Sequence, residues 1–182
     1  MPPAAPDPKP RLAVVVMGVA GCGKSTVGSA LAAELALPFV DGDSLHSAAN
    51  VAKMRAGTPL DDADRAPWLE RIGDCLGDSR SAPAGIVVAC SALKRAYRDR
   101  LRAAAPTLRF VFLDVALPLL EARLATRHGH YMPATMLRGQ LATLEPPTDA
   151  EADVLRYAVD APADVIARAA ATALRGPATT RG

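Results

Sequence analysis

Gly18-Val-Ala-Gly-Cys-Gly-Lys-Ser25 spells GxxxxGK[ST], a spacing that suits one task, holding a chain of phosphates. The glycines let backbone N–H groups come against phosphate oxygens, where a Cβ at several positions would block the approach. Lys24 adds a point charge for the β- and γ-phosphates, and Ser25 presents a hydroxyl to Mg²⁺. A helix starting there aims its positive end at the nucleotide. The apolar run before the loop and the Thr-Val-Gly-Ser-Ala-Leu stretch after it supply the strand and helix that this reading requires. The expected ATP contacts are Gly18, Val19, Ala20, Gly21, Cys22, Gly23, Lys24, Ser25 and Thr26. Cys22 reads as a small loop residue whose oxidation would hinder phosphate binding.

A nucleotide hydrolase often holds its metal with an acid at the end of a further apolar strand, but Ile86-Val-Val-Ala-Cys90 runs into Ser91-Ala-Leu-Lys94 without one. The acids stand instead at Asp41-Gly-Asp43, after the second apolar run. In extended backbone, residues two apart share a side, so both carboxylates can face the γ-phosphate, with Gly42 permitting close approach. Asp41 reads either as a metal ligand acting through water, together with Ser25, or as a turn residue. Asp43 is assigned to the acceptor hydroxyl, as base or orienting group, against the alternative that it or Ser44 caps the next helix.

Three polar groupings are candidates for the rest of the chemistry. A helix over Ser44–Arg55 would line up His46, Asn50 and Lys53, either as a wall for an anionic polyol or as a solvated face. After the third apolar run, Lys94 and Arg98 share a helical face that reaches the site and suits a substrate carboxylate. Arg102, one turn on, is expected in solvent, with Leu93, Tyr97 and Leu101 in the core. Arg123 and Arg127 belong to a mobile lid at about 123–135 that closes over the phosphates. Arg127 is the choice for the arginine that stabilises the transferring phosphoryl group. His128 and His130 have no acid or Cys beside them and read as lid surface rather than a zinc site. Trp68 reads as the core anchor of an insertion over about 44–80.

These residues need a scaffold. Apolar runs at Leu12–Met17, Leu37–Val40, Ile86–Cys90, Phe110–Leu113 and Val154–Val159 alternate with helical stretches, the pattern of a three-layer α/β domain with a parallel sheet and helices on both faces. With 182 residues, half of them hydrophobic, one domain over 11–175 is expected, between a Pro-rich tail at 1–10 and a frayed end at 176–182. Lys and Arg number 21 against 19 Asp and Glu, and the seven aromatics are not interleaved with basic residues, which argues against a nucleic-acid or membrane surface. Three cysteines without a CxxC pair, and a start without an apolar run, fit a reducing cytoplasm.

The assembled motifs resemble the thermoresistant class of gluconokinases, which are similar to shikimate and adenylate kinases. They run in order as Met17 to Ser25, Asp41-Gly-Asp-Ser-Leu-His46, Lys53-Met, Gly57-Thr-Pro-Leu-Asp-Asp-Ala-Asp-Arg-Ala-Pro-Trp-Leu69, Cys90-Ser-Ala-Leu-Lys94 with Tyr97-Arg98, Arg127-His-Gly-His-Tyr, and Gln140 to Pro146. The resemblance covers nearly everything between the tails. It implies a five-stranded parallel sheet and transfer of the γ-phosphate of ATP to D-gluconate with Mg²⁺, in a cytoplasmic homodimer. It also implies that Asp43, His46, Lys53, Lys94 and Arg98 receive the sugar acid and that the base rests near Asp160–Pro162. His128 departs from the family's pattern, and the Pro-rich start lies outside it. The rivals are a kinase of another hydroxy acid or of a nucleoside monophosphate, and a nucleotide-dependent switch. The DxxG at Asp74–Gly77 lies in a helix-like stretch and no NKxD accompanies it.

Overall fold

Apolar β-branched runs alternate with helix-forming ones along the chain, and the computed structural model, which describes residues 11–126 and 134–176, folds them in that order. The elements are β1 (Leu12–Met17), α1 (Lys24–Leu35), β2 (Phe39–Asp41), a 3-10 turn (Gly42–Leu45), α2 (Ala48–Arg55), α3 (Asp62–Gly77), β3 (Gly85–Ala89) and α4 (Arg95–Ala104). β4 (Arg109–Asp114), α5 (Leu117–Thr126), α6 (Ala134–Thr143), β5 (Val154–Ala158) and α7 (Ala163–Arg175) complete them. The five strands are parallel in the order β2-β3-β1-β4-β5.

β1 shows why the domain has three layers. Its alternate residues point to opposite faces. Ala13, Val15 and Met17 pack with Trp68, Ile72 and Leu76 of α3 and Tyr97 and Leu101 of α4. Val14 and Val16 pack with Val27 and Leu31 of α1 and Ile166, Ala167 and Ala170 of α7. Buried on both sides and paired to β3 and β4 along both edges, β1 delivers the phosphate loop from the middle of the sheet, where strand connections diverge and ligands collect.

Two expected elements shift. β2 begins at Phe39 rather than Leu37, because Pro38 has no N–H to give to the ladder and enters the sheet only through its carbonyl, which accepts from Val87 N at 3.0 Å. The helix expected over Ser44–Arg55 is interrupted. Asp41 Oδ1 accepts from Asp43 N at 3.1 Å and starts the 3-10 turn, which ends at an extended His46. Ser47 Oγ then accepts from Asn50 N at 3.1 Å and caps α2. His46 is therefore outside the helix that carries Asn50 and Lys53, and the three do not form one helical stripe.

Candidate active site

The phosphate loop runs from the end of β1 into α1 with Gly18, Gly21 and Gly23 all at positive φ. At Gly18 the space is closed as well, since a Cβ would come 2.8 Å from Cys22 Sγ and 3.0 Å from Leu113 O. Gly18 N donates to Ser91 O at 3.3 Å, which ties the loop to the end of β3, and Lys24 Nζ folds back to donate to Val19 O at 3.1 Å. Cys22 is fully buried, and burial pushes its thiol above its ordinary pKa, so it is a packed loop residue rather than a poised nucleophile.

The second strand brings its acids to this loop. Ser25 Oγ donates to Asp41 Oδ2 at 2.6 Å, while the other oxygen of Asp41 organises the turn after β2. One oxygen of Asp41 thus holds the turn, as the turn-residue reading has it, and the other lies against the hydroxyl of Ser25 at the phosphate loop. Gly42 does permit a close approach, but the approach is to β3: a Cβ there would stand 2.4 Å from Ala89 O. Asp43 is exposed and faces the cleft.

Trp68 is the core anchor expected of it, 1% exposed, and it also holds the site. Its Nε1–H donates to Gly42 O at 2.7 Å, and its ring stacks on His46 with centroids 4.3 Å apart and 12° between planes. Burial pulls the His46 imidazole below its ordinary pKa of 6.5 against the opposing charge of Asp43, so it is neutral at pH 7. Asn50, 5% exposed, donates to Asp64 O at 2.8 Å and lies 3.5 Å from His46 Nδ1, joining α2 to α3 behind the histidine.

The cations assigned to the acceptor have different situations. Lys53 is paired with Asp64 at 2.6 Å. Lys94 holds both oxygens of Asp62 at 2.7 and 2.9 Å, and Tyr97 O–H donates to the same carboxylate. These bonds hold Asp62 and Asp64 below the usual carboxylate range. Arg98 is a correction. Its side chain and that of Glu151 are each 1% exposed and form a two-pronged pair at 2.7 Å through Nε and Nη2. Its Nη1 donates to the carbonyls of Ala92, Leu93 and Glu145. A guanidinium this far inside the protein serves the joint between the end of β3 and the segment before β5, not a ligand, and Arg98 hydrogen bonding holds Glu151 down at about 2. Arg102, expected in solvent, bonds Asp153, Glu151 and Asp99 in the same network.

Lys94, Asp62 and Tyr97 line a smaller hollow beside Arg65, while a cleft of about 1080 Å³ is lined by the phosphate loop, Asp41, Asp43, His46 and Ser91. Val159, Ala161, Ala163 and Ile166 give it an apolar end beside the expected base position. Three long polar side chains of the lining, Arg55, Arg65 and Gln140, were not among the sequence-derived site residues. Arg55 had only helical position to mark it, and Arg65 stood inside the Gly57–Leu69 motif without a role of its own. Gln140, whose Oε1 accepts from Ala20 N at 2.7 Å, stood inside a quoted motif with no sign of its chemistry. Arg123 Nη1 donates to Cys22 O at 3.2 Å, so this arginine reaches the phosphate loop. Arg127, His128 and His130 lie outside the described residues.

An AAA-domain family model matches residues 14–147. Curated relatives are narrower: the gluconokinase of Gluconobacter oxydans is 49% identical over 158 residues, 87% of this chain and 88% of that one. The chain belongs to the gluconokinase family. The thermoresistant gluconokinase of Escherichia coli is 43% identical over 81% of this chain and 85% of its own length. The thermosensitive one from the same organism is 42% identical over 80% and 78%, so identity does not separate the two classes. Among solved structures, a gluconokinase from Sinorhizobium meliloti superposes with a TM-score of 0.81 at 47% identity, covering 90% of this chain and 91% of that chain. Shikimate kinase from Aquifex aeolicus, at 17% identity and a TM-score of 0.57, shows the shared P-loop kinase fold alone. Among the described residues no helix is long and apolar enough to cross a membrane.

Proposed function

We propose that this chain transfers the γ-phosphoryl group of ATP to the primary hydroxyl of D-gluconate, giving 6-phospho-D-gluconate and ADP. The observation that carries this reading is the 2.6 Å bond between Ser25 and Asp41, with Asp43 two residues on and open to the same cleft, in a chain 49% identical to a gluconokinase. Backbone N–H groups of Gly21–Thr26 and the amino group of Lys24 receive the β- and γ-phosphates. Asp43 accepts or orients the proton of the acceptor hydroxyl, and neutral His46, held flat on Trp68, offers the polyol a hydrogen-bonding edge. Arg123, and Arg127 beyond it, stabilise charge on the transferring group.

Ser25 and Asp41 are hard oxygen donors, and they fit a Mg²⁺ whose other ligands are phosphate oxygens and water. That ion neutralises developing phosphate charge when bound. Lys53 and Lys94 border the acceptor side through their carboxylate partners, and the enzyme is taken to act as a cytoplasmic homodimer. A coupled ADP-release assay over a panel of acceptors tests the assignment. D-Gluconate should exceed shikimate and AMP by orders of magnitude in kcat/KM, and equal rates would overturn it.

A further inference from the structure

D-Gluconate carries its negative charge at the end of the chain remote from the hydroxyl that is phosphorylated, so the acceptor site needs a cation away from the phosphate loop. The cations of the region separate clearly. Lys24 and Arg123 bond carbonyls of the phosphate loop itself. Lys53 and Lys94 are matched by Asp64 and Asp62, two acids of the first turn of α3, and Arg98 is enclosed with Glu151. Arg55 lines the cleft but is exposed at the end of α2, where no hydrogen bond or ion pair among the described residues fixes it.

Arg65 is different. It lies in the first turns of α3, half-buried, lining both the main cleft and the smaller adjoining hollow beside Lys94 and Tyr97. Its Nε donates to Leu60 O at 3.3 Å and its guanidinium carbon stands 6.0 Å from the Tyr97 ring centroid, so the side chain is directed. Its two terminal nitrogens have no carboxylate among the described residues, because nearby Asp62 is taken by Lys94 and Tyr97. Arg65 also sits within electrostatic reach of the catalytic end, since the buried Cys90 thiol is acted on by the charges of Asp43, Lys24 and Arg65 together.

We propose that Arg65 is the specificity-determining residue of the acceptor site, receiving the substrate carboxylate through its free guanidinium edge, with Lys53 and Lys94 serving to neutralise the acids around it. The proposal rests on the gluconate assignment and refines it. Arginine suits the task because its planar fork matches both oxygens of a carboxylate, whereas a lysine offers a single point charge.

The test compares D-gluconate with D-gluconamide, the same polyol without the charge, in the wild-type enzyme and in Arg65→Gln, Arg65→Lys, Lys94→Gln and Arg55→Gln. Because the readout is a ratio of kcat/KM values within each variant, it does not depend on how much of a preparation is folded. Wild type should prefer gluconate by on the order of 10²-fold, the scale of a charge-assisted hydrogen-bonded pair. Arg65→Gln should bring the ratio close to one through the KM for gluconate, leaving the KM for ATP within about two-fold. Arg65→Lys should fall between, Arg55→Gln should keep most of the preference, and Lys94→Gln, which frees Asp62 beside Arg65, should lower it by less than Arg65→Gln does. A wild-type enzyme that does not discriminate, a ratio retained in Arg65→Gln, a ratio lost in Arg55→Gln, or one that falls further in Lys94→Gln than in Arg65→Gln would overturn the proposal. Failure of wild type to phosphorylate gluconate at all would overturn the assignment beneath it.

Discussion

The nucleotide half of the cleft is built mainly from one unbroken stretch of backbone, Gly18 to Thr26, whereas the acceptor half is assembled from side chains of the 3-10 turn, α2 and α3. Backbone N–H groups carry no net charge for a neighbouring acid to neutralise. The phosphate loop therefore keeps most of its chemistry wherever a strand and a helix hold it, even with Gly18 N given to Ser91 and Ala20 N to Gln140. Side-chain charges can be cancelled, and in the acceptor half several are: Lys53 by Asp64, Lys94 by Asp62, Arg98 by Glu151. A positive residue at the right spacing is thus weaker evidence for a binding site than a glycine at the right spacing.

That contrast can be broken at several points. Replacing Lys24 by Ala should have the largest effect, lowering turnover by about 10³-fold or more and weakening nucleotide binding, measured by ADP release and by titration with a non-hydrolysable ATP analogue. Asp43→Asn should lower phosphoryl transfer by roughly 10²- to 10³-fold while nucleotide affinity changes little, so the same two measurements part company. Wild-type turnover in that variant would remove Asp43 from the chemistry.

Arg98→Ala speaks to stability instead. It takes the two-pronged partner from buried Glu151 and leaves it Arg102, at a cost of about 3 kcal/mol in denaturant unfolding, and the KM of the folded enzyme for acceptor should stay near wild type. The same pair sets an acid limit. Glu151 has an ordinary pKa of 4.5 and is held at about 2 in the folded protein, so below pH 4.5 the unfolded chain binds more protons. The pair's stabilisation is complete above pH 4.5 and drains away as pH falls toward 2, a slope that Arg98→Ala should flatten in acid melts. The smallest effect belongs to Lys53→Gln, whose exposed pair with Asp64 should change unfolding and KM by no more than about two-fold.

Much of the fold was legible because it rests on period. The two-residue alternation of β1 and the loop glycines are local signals, and the strand and helix flanking the loop follow the expected pattern. The 3-10 turn was not, because it depends on a competition between caps: Asp41 captures Asp43 N and Ser47 captures Asn50 N, which ends any helix begun at Ser44. In the site, Asp41, Asp43 and Ser25 were found by spacing and do share the cleft. Arg65 and Gln140 were missed as site residues because neither had a periodic or motif signal of its own chemistry. Arg98 was misplaced because a basic helical face looks the same in sequence whether water or Glu151, 53 residues away, faces it.

The sequence by itself determined the phosphate loop, the parallel sheet that presents it and the acids at the end of β2, since each follows from residue type at short range. Only the tertiary structure decided which positive charges are engaged, because pairing is a matter of distance in space and long side chains meet acids far away in the chain. Through that pairing Arg98 was drawn into the interior, Lys53 and Lys94 were matched with the acids of α3, and Arg65 was left facing the cleft.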